Sequence, residues 1–359
     1  MANTKIKFLQ AQNGDCFLLS FTDDKGVPKN ILIDGGRDAT YYDKSTNKFG
    51  DLKREIDLIR SRNEMIDLMI LTHIDNDHIC GLLKWFEKDN DAYKLIKNVW
   101  FNSGKLIAEY LKEPENPDLS LGLKIFRSTV TGVHEAIDFE KYLLEHNLWE
   151  RKIILKKQEL SEFGLSIKIL SPDEQQLRKL LKEYREKTGD DAYTTAKESD
   201  WKTPLKDFIK EEADPKYKFK QDTSVKNGSS ISFILTLGNT NFLFLGDSHP
   251  IGISNSLEEM GYTASAPLEV ALFKVSHHGS KSNTNHKLIS QVKTQNYFFS
   301  SDSTGDNHPN KRTLARIASL NPEAVFHFNY AFVKNNIFQP QDFKDFPGIK
   351  IKLTAEMEF

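Results

Sequence analysis

The sequence predicts an α/β protein. Short apolar runs typical of buried strands alternate, along 359 residues, with charged segments in which apolar residues recur at helical spacing. Several of the apolar runs end in aspartate or histidine, and the run at 69–71 leads into T-H-I-D-N-D-H. Because the carboxyl ends of strands in open α/β folds line a common crevice, this pattern indicates a titratable site along one sheet edge.

The predicted elements follow from local pattern. The helix at 51–63, for example, has Leu52, Ile56 and Ile59 on one face with charges between them. In chain order we expect two strands within 6–21, a strand at 30–36, a helix at 51–63, a strand at 69–71, a helix from 82, a strand at 97–101, helices at 105–112 and 121–149, strands at 152–155 and 165–170, a hairpin at 227–247, strands at 269–276 and 296–300, a helix at 314–320, and strands at 325–329 and 349–353.

Composition sets bounds on the class of protein. The formal net charge is −2 with 28% charged residues, so there is no overall basic surface for nucleic acid. Two cysteines, Cys16 and Cys80, cannot build a disulfide framework, and we expect both to be buried and structural. The start of the chain lacks the apolar core of a signal peptide, and no apolar run has the length of a membrane span. We therefore expect a cytoplasmic protein that does not enter a membrane.

Residues 173–226 differ from the rest of the chain. They are rich in lysine and glutamate, include the helical run Q-Q-L-R-K-L-L-K-E-Y-R-E-K, and are interrupted by Pro204 and Pro215. We interpret this segment as a helical insertion that lies outside the core. Its charges fit either a solvated helix face or a surface that contacts the substrate.

Five predicted strands end in residues that can ligate a metal ion. These residues are Asp34; His73, Asp75, Asp77 and His78; Asp247; His277 and His278; and the loop with Asp306 and His308. Each alone could be an ordinary turn residue. Together, imidazoles and carboxylates brought to one edge predict a site for one or two divalent ions, Zn²⁺ or Mn²⁺.

The ordered motifs resemble the metallo-β-lactamase superfamily, and more closely the hydrolase domain of ComEC-type DNA-uptake proteins and their stand-alone relatives. They include F-L-Q-A-Q-N-G-D-C-F-L-L, I-L-I-D-G-G, I-L-T-H-I-D-N-D-H-I-C-G-L, N-G-S-S-I-S-F-I-L, F-L-F-L-G-D, K-V-S-H-H-G-S and N-H-P-N. The resemblance implies an αβ/βα sandwich over residues 1–359, with residues 173–226 inserted in it.

The resemblance also implies roles for the site residues. His73 and Asp75 would bind a first metal, Asp77, His78 and His277 would bind a second, Asp247 would bridge the two, and Asp34 would orient ligands through hydrogen bonds. Two positions depart from the superfamily pattern. Asp75 replaces its usual second histidine, and Asn227 stands near the place of another missing histidine. Amide and carboxylate oxygens suit Mn²⁺ better than imidazoles do, so we expect a first site that is weak, prefers Mn²⁺, or is filled only when substrate is bound.

The implied reaction is hydrolysis by a hydroxide that bound metal generates at neutral pH. Asp77, His278 and His308 are the candidate catalytic residues, with either histidine assisting the leaving side. We expect a phosphodiesterase or nuclease that acts on a phosphodiester or nucleic-acid substrate. Two alternatives remain. One is a hydrolase of a small lactone, lactam, thioester or cyclic nucleotide; the other is a metal-binding module that engages a protein partner, for example in defence against phage.

Overall fold

The computed structural model describes residues 4–113, 132–186 and 199–359. The strands of this part are β1 (Lys5–Phe8), β2 (Phe17–Thr22), β3 (Pro28–Ile33), β4 (Tyr42–Asp43), β5 (Lys48–Phe49), β6 (Leu68–Ile70), β7 (Val99–Trp100), β8 (Glu159–Glu162), β9 (Leu165–Ser171), β10 (Ser232–Leu237), β11 (Thr240–Phe244), β12 (Leu268–Glu269), β13 (Leu272–Lys274), β14 (Val292–Lys293), β15 (Asn296–Phe299), β16 (Val325–Phe328), β17 (Lys350–Leu353) and β18 (Glu356–Glu358).

The helices are α1 (Asp51–Ser61), α2 (Asn76–Lys88), α3 (Gly104–Leu111), α4 (Val133–Glu145), α5 (Glu174–Glu186), α6 (Leu205–Glu212), α7 (Val225–Gly228), α8 (Pro250–Glu259), α9 (His286–Ser290), α10 (Lys311–Leu320), α11 (Ala331–Asn336) and α12 (Pro340–Asp345). In the described parts of the chain, none of them is long and apolar enough to cross a membrane.

Two large sheets pack face to face. The first has the strand order β18-β1-β2-β3-β6-β7, and the second has the order β17-β16-β15-β13-β11-β10-β9-β8. Alternate residues of these strands fill the space between the sheets, where the rings of Phe8 and Phe298 stack with centroids 3.8 Å apart. The opposite faces are also buried: in β10, Phe233 lies between the sheets while Ile234 points outward into a second core. Strands buried on both faces explain the continuous apolar runs in the sequence.

Helices cover the outer face of each sheet. Leu52, Ile56 and Ile59 of α1, together with α2 and α4, cover the first sheet, and α8, α9 and α10 cover the second. The layers are therefore helix, sheet, sheet, helix, and the predicted α/β sandwich is confirmed.

The strand directions bring the predicted site residues together. β3, β6 and β7 run parallel in the first sheet, and β11, β13, β15 and β16 run parallel in the second. Their carboxyl ends therefore open on one edge of the sandwich, where the loops that follow β3, β6, β11, β13 and β15 carry the predicted aspartates and histidines.

The structure corrects the prediction that residues 173–226 lie outside the core. Leu177, Leu180, Leu181 and Tyr184 of α5 belong to the core over the first sheet, and Trp201, Leu205 and Phe208 belong to the core over the second. The buried residues of α5 recur at helical spacing, so the charged residues of the segment form only its outer face. The described parts of the segment, 173–186 and 199–226, contain helices, as predicted, but they contribute side chains to the core.

Two local predictions also change. Residues 152–155 form no strand, because the backbone of Ile154 pairs with the side-chain amide of Asn102, at 2.8 and 2.9 Å. Of the helix predicted at 121–149, the part up to residue 131 lies outside the described residues, and α4 forms most of the rest.

Candidate metal centre

The H-x-D-x-D-H run divides between a loop and a helix. β6 ends at Ile70, His73 lies in the loop that follows, and Asp75 is the residue before the first turn of α2, which carries Asp77 and His78. His73 and His78 are buried at 3% and 0% exposure. The helix start therefore turns four potential ligands of one short run toward a common point.

Asp247, which follows β11, lies at this point. Its Oδ1 is 3.5 Å from Nε2 of His78. Its Oδ2 is 3.6 Å from Nε2 of both His277 and His278 and 3.8 Å from Nε2 of His73. One carboxylate thus faces four imidazoles, two from each sheet.

These atoms fit a divalent cation. Nε2 of His73, His78 and His278 and Oδ1 of Asp247 are buried and lack a hydrogen-bond partner within the described ranges. Each of these Nε2 atoms lies 3.5–3.8 Å from one of the two carboxylate oxygens of Asp247, which exceeds hydrogen-bond length. Ligands at about 2.0–2.2 Å from a shared cation have such spacings. Leaving so many buried polar atoms unpaired would be costly without a cation between them.

Asp34 fixes the orientation of the first two histidines. Its Oδ2 accepts hydrogen bonds from Nδ1 of His78 and from the hydroxyl of Thr72, both at 2.8 Å, and its Oδ1 accepts from the backbone N–H of Thr72 at 2.7 Å. That hydroxyl is 3.2 Å from Nδ1 of His73. Since each Nδ1 donates outward, each Nε2 presents its lone pair inward. Asp34 thus lies behind these imidazoles, on the side away from Asp247.

His278 has a corresponding support that the sequence analysis missed. Its Nδ1 is 3.1 Å from Oδ1 of Asp15, and Asp15 forms a buried ion pair with Lys274. Its Nε2 is 3.4 Å from Oδ2 of Asp77. Asp77, His78 and His278 thus lie close enough to share one cation. The resemblance implied His277 as the histidine that joins Asp77 and His78. A lysine inside the apolar strand β13 was the available sequence signal.

His277 faces the other side of Asp247. Its Nδ1 is 3.0 Å from Oδ1 of Asn283 and 3.5 Å from Asp222, which the sequence analysis also missed. Nδ2 of Asn227 donates to Asp222 at 2.7 Å and lies 3.4 Å from the same Nδ1. Asn227 therefore supports the outer side of His277.

The carboxylates and imidazoles of the site shift each other's pKa values. Burial alone would lower the pKa of His78 and His277, but Asp247 and a second carboxylate outweigh it; they raise the pKa of His277 to about 10 and that of His78 well above its usual range. Burial would raise the pKa of Asp247, but the histidines hold it well below its ordinary value. In the absence of a cation the site therefore holds protons, which a cation would displace.

His308 differs from the other histidines. Its ring centroid is 4.9 Å from that of His277, and its Nδ1 is buried without a hydrogen-bond partner in the described chain. Burial, reinforced by repulsion from His277 and His278, holds the pKa of His308 well below its usual range, so this ring is neutral. Asp306, from the same loop, is exposed.

The thiols take no part in these groups. Cys16 is fully buried and Cys80 is partly buried. Burial raises the pKa of Cys80 to about 12, and that of Cys16 well above its usual range, so both stay protonated.

The family model of the metallo-β-lactamase superfamily matches residues 13–154 of the chain. The matched part holds Asp34 and the run from His73 to His78, while Asp247 and His277 lie beyond it. No curated protein sequence matches the chain.

Solved structures with related folds are distant in sequence. The metallo-β-lactamase fold protein YhfI from Bacillus subtilis has 12% identity and a TM-score of 0.43, with 100% of both chains covered. CmlA, a diiron β-hydroxylase from Streptomyces venezuelae, has 12% identity and a TM-score of 0.37; the match covers 99% of this chain and 54% of CmlA. A long form RNase Z from yeast has 12% identity and a TM-score of 0.37, with 84% of this chain and 37% of the enzyme covered.

Proposed function

We propose that the protein is a divalent-metal-dependent hydrolase that cleaves phosphodiesters. The observation that carries the proposal is the convergence of buried, unpaired imidazole nitrogens on the carboxylate of Asp247. A bound divalent cation lowers the pKa of a water molecule and stabilises negative charge on the group under attack. Both effects suit attack on phosphorus at neutral pH.

The ligand set supports Mn²⁺ over Zn²⁺. Asp77, His78, His278 and Asp247 would hold one cation, and His73, Asp75 and His277 lie around the other side of Asp247. Carboxylates are as frequent as imidazoles in the first of these sets, and such oxygen-rich sets favour Mn²⁺. This assignment keeps the predicted residues and gives His278 the role of ligand.

Two residues beside the ligands support an anionic substrate. Lys226 places an ammonium group at the site, 2.7 Å from Oδ1 of Asp75. His308 is neutral, so one ring nitrogen can donate a hydrogen bond while the other accepts one. Because both ring nitrogens of His278 face carboxylates, His308 is the better candidate to hydrogen-bond the leaving oxygen.

The test is hydrolysis of a chromogenic phosphodiester, and of single- and double-stranded DNA, by protein loaded with Mn²⁺ or Zn²⁺. We expect faster cleavage with Mn²⁺. Asp247→Ala should lower the rate by on the order of 100-fold or more, since outer hydrogen-bond partners alone are worth 10–100-fold.

Asp67→Asn is the matched control, because Asp67 is equally buried but lies at the opposite end of β6. Activity that survives Asp247→Ala unchanged would show that a contaminant cleaves the substrate. If the protein cleaves lactones or thioesters but not phosphodiesters, the proposed substrate class is wrong. A metal-loaded protein that cleaves none of these would favour a module that binds a partner protein.

A further inference from the structure

The potential ligands around Asp247 fall into two groups, and only one of them is free of a competing positive charge. On one side, His278 Nε2 is 3.4 Å from Asp77 and 3.6 Å from Asp247, and His78 Nε2 is 3.5 Å from Asp247. Asp77, His78 and His278 thus lie close enough to share one cation, with Asp247 beside both imidazoles.

In the second group, which contains His73 and Asp75, a lysine already forms an ion pair with the carboxylate of Asp75. Nζ of Lys226 is 2.7 Å from Oδ1 of Asp75, while Oδ2 of Asp75 is 3.7 Å from Nε2 of His73. Lys226 is only 9% exposed, so its ammonium group has little contact with water. An ion pair shielded from water in this way is stronger than a surface pair.

The backbone holds this lysine in place. Lys226 lies in the short helix α7, whose start is capped by the hydroxyl of Ser224. The next residue, Asn227, donates its amide to Asp222 at 2.7 Å and is therefore not free to turn toward Asp75. The segment thus delivers a positive charge, and no further histidine, to this side of the centre.

We propose that the ammonium group of Lys226 takes the place of a second cation beside His73 and Asp75, so that the centre binds one divalent ion tightly. The inference rests on the metal centre of the proposed function. A second cation would have to break the ion pair with Asp75 and approach a like charge in a site with little water, which weakens its binding.

The experiment measures Mn²⁺ binding to the full chain, with Mn²⁺ as the probe. Metal per chain is determined after desalting and by calorimetric titration, and electron paramagnetic resonance distinguishes an isolated Mn²⁺ from a coupled pair. Four proteins are compared: wild type, Lys226→Met, Lys226→Arg, and Lys220→Met. Lys220 is an exposed lysine of the preceding loop and controls for the loss of one positive charge.

We expect one tightly bound Mn²⁺ in wild type, in Lys226→Arg and in Lys220→Met. Lys226→Met keeps most of the buried aliphatic stem, and we expect it to bind a second Mn²⁺ about 10–100-fold more tightly than wild type does, with the spectrum of a coupled pair. Two tightly bound ions in wild type would overturn the inference while leaving the proposed function intact. One ion in Lys226→Met would also overturn it. A wild-type protein that binds no Mn²⁺ or Zn²⁺ would overturn the proposed function itself and the inference with it.

Discussion

The Asp34→Asn variant tests whether the histidines work as ligands or only as buried polar residues. Asp34 accepts from Nδ1 of His78 and from both the N–H and the hydroxyl of Thr72. Asparagine has the same shape but only one acceptor oxygen. If that oxygen keeps the backbone N–H of Thr72, the new amide group points its hydrogens at His78 and at the Thr72 hydroxyl.

The consequence for His78 is a change of tautomer. Nδ1 must then accept a hydrogen bond, so the ring proton moves to Nε2, the atom 3.5 Å from Asp247. A protonated Nε2 cannot bind a cation. Losing such an orienting carboxylate weakens metal affinity by about 10–100-fold, or about 1.4–2.7 kcal/mol.

The free energy of unfolding should fall by an amount similar to the loss in binding free energy. Three charge-assisted hydrogen bonds become neutral ones, which we expect to cost about 1–3 kcal/mol in the free energy of unfolding without metal. Calorimetric titration with Mn²⁺ gives the affinity, and urea denaturation of the metal-free protein gives the stability. Asp67→Asn is the control, since Asp67 is 1% exposed and accepts from the backbone of Asn30 at 3.1 Å but touches no histidine.

We expect Asp67→Asn to lose stability and to keep wild-type Mn²⁺ affinity. A folded Asp34→Asn protein with unchanged affinity would refute the tautomer argument. Equal losses of affinity in both variants would show that the effect comes from general loosening of the first sheet.

Two further predictions concern stability. Leu180, in the charged helix α5, is 2% exposed within the core, so Leu180→Ala should lower the free energy of unfolding by about 2–5 kcal/mol in urea denaturation. A cost under about 0.5 kcal/mol would show that α5 lies outside the core. Burial lowers the pKa of His327 to about 4, so the unfolded chain takes up a proton at this residue before the folded protein does. The contribution of His327 to stability is therefore complete above pH 6.5 and is lost as the pH falls toward 4, and His327→Gln should flatten this part of the pH profile measured by urea denaturation; an unchanged slope would contradict the assignment.

The site residues at the strand ends were predictable from the sequence, but the buried ion pair of Asp15 and Lys274 beside His278 was not. Asp34, His73 and Asp247 each follow an apolar run, and a parallel sheet brings such positions to one edge whatever the details of packing. Asp15 and Lys274 are separated by more than 250 residues, and only the packing of the two sheets brings them together under His278. Side-chain pairing across sheets has no local signal in one sequence.

The segment at 173–226 shows a different kind of error. Its composition indicated a solvated insertion, but Leu177, Leu180, Leu181 and Tyr184 recur at the spacing of one helix face and are buried. The periodicity was present in the sequence and outweighs the charge content, because charged residues on the outer face of a helix are compatible with a buried inner face. Composition alone was the wrong criterion.

The turn after β13 explains how one strand supplies two neighbouring imidazoles to the centre. His277 and His278 have left-handed backbone conformations, with φ of 49° and 52°, and Gly279 follows with φ of 89°. A Cβ at Gly279 would lie 2.6 Å from Phe299 and Pro309, so this position requires glycine. Such conformations are costly for histidine and persist only when the surrounding structure holds them, here by the hydrogen bond from His277 N–H to the backbone of Gly246. In an extended strand, neighbouring side chains would point to opposite faces; this turn instead sets both imidazoles 3.6 Å from the same oxygen of Asp247.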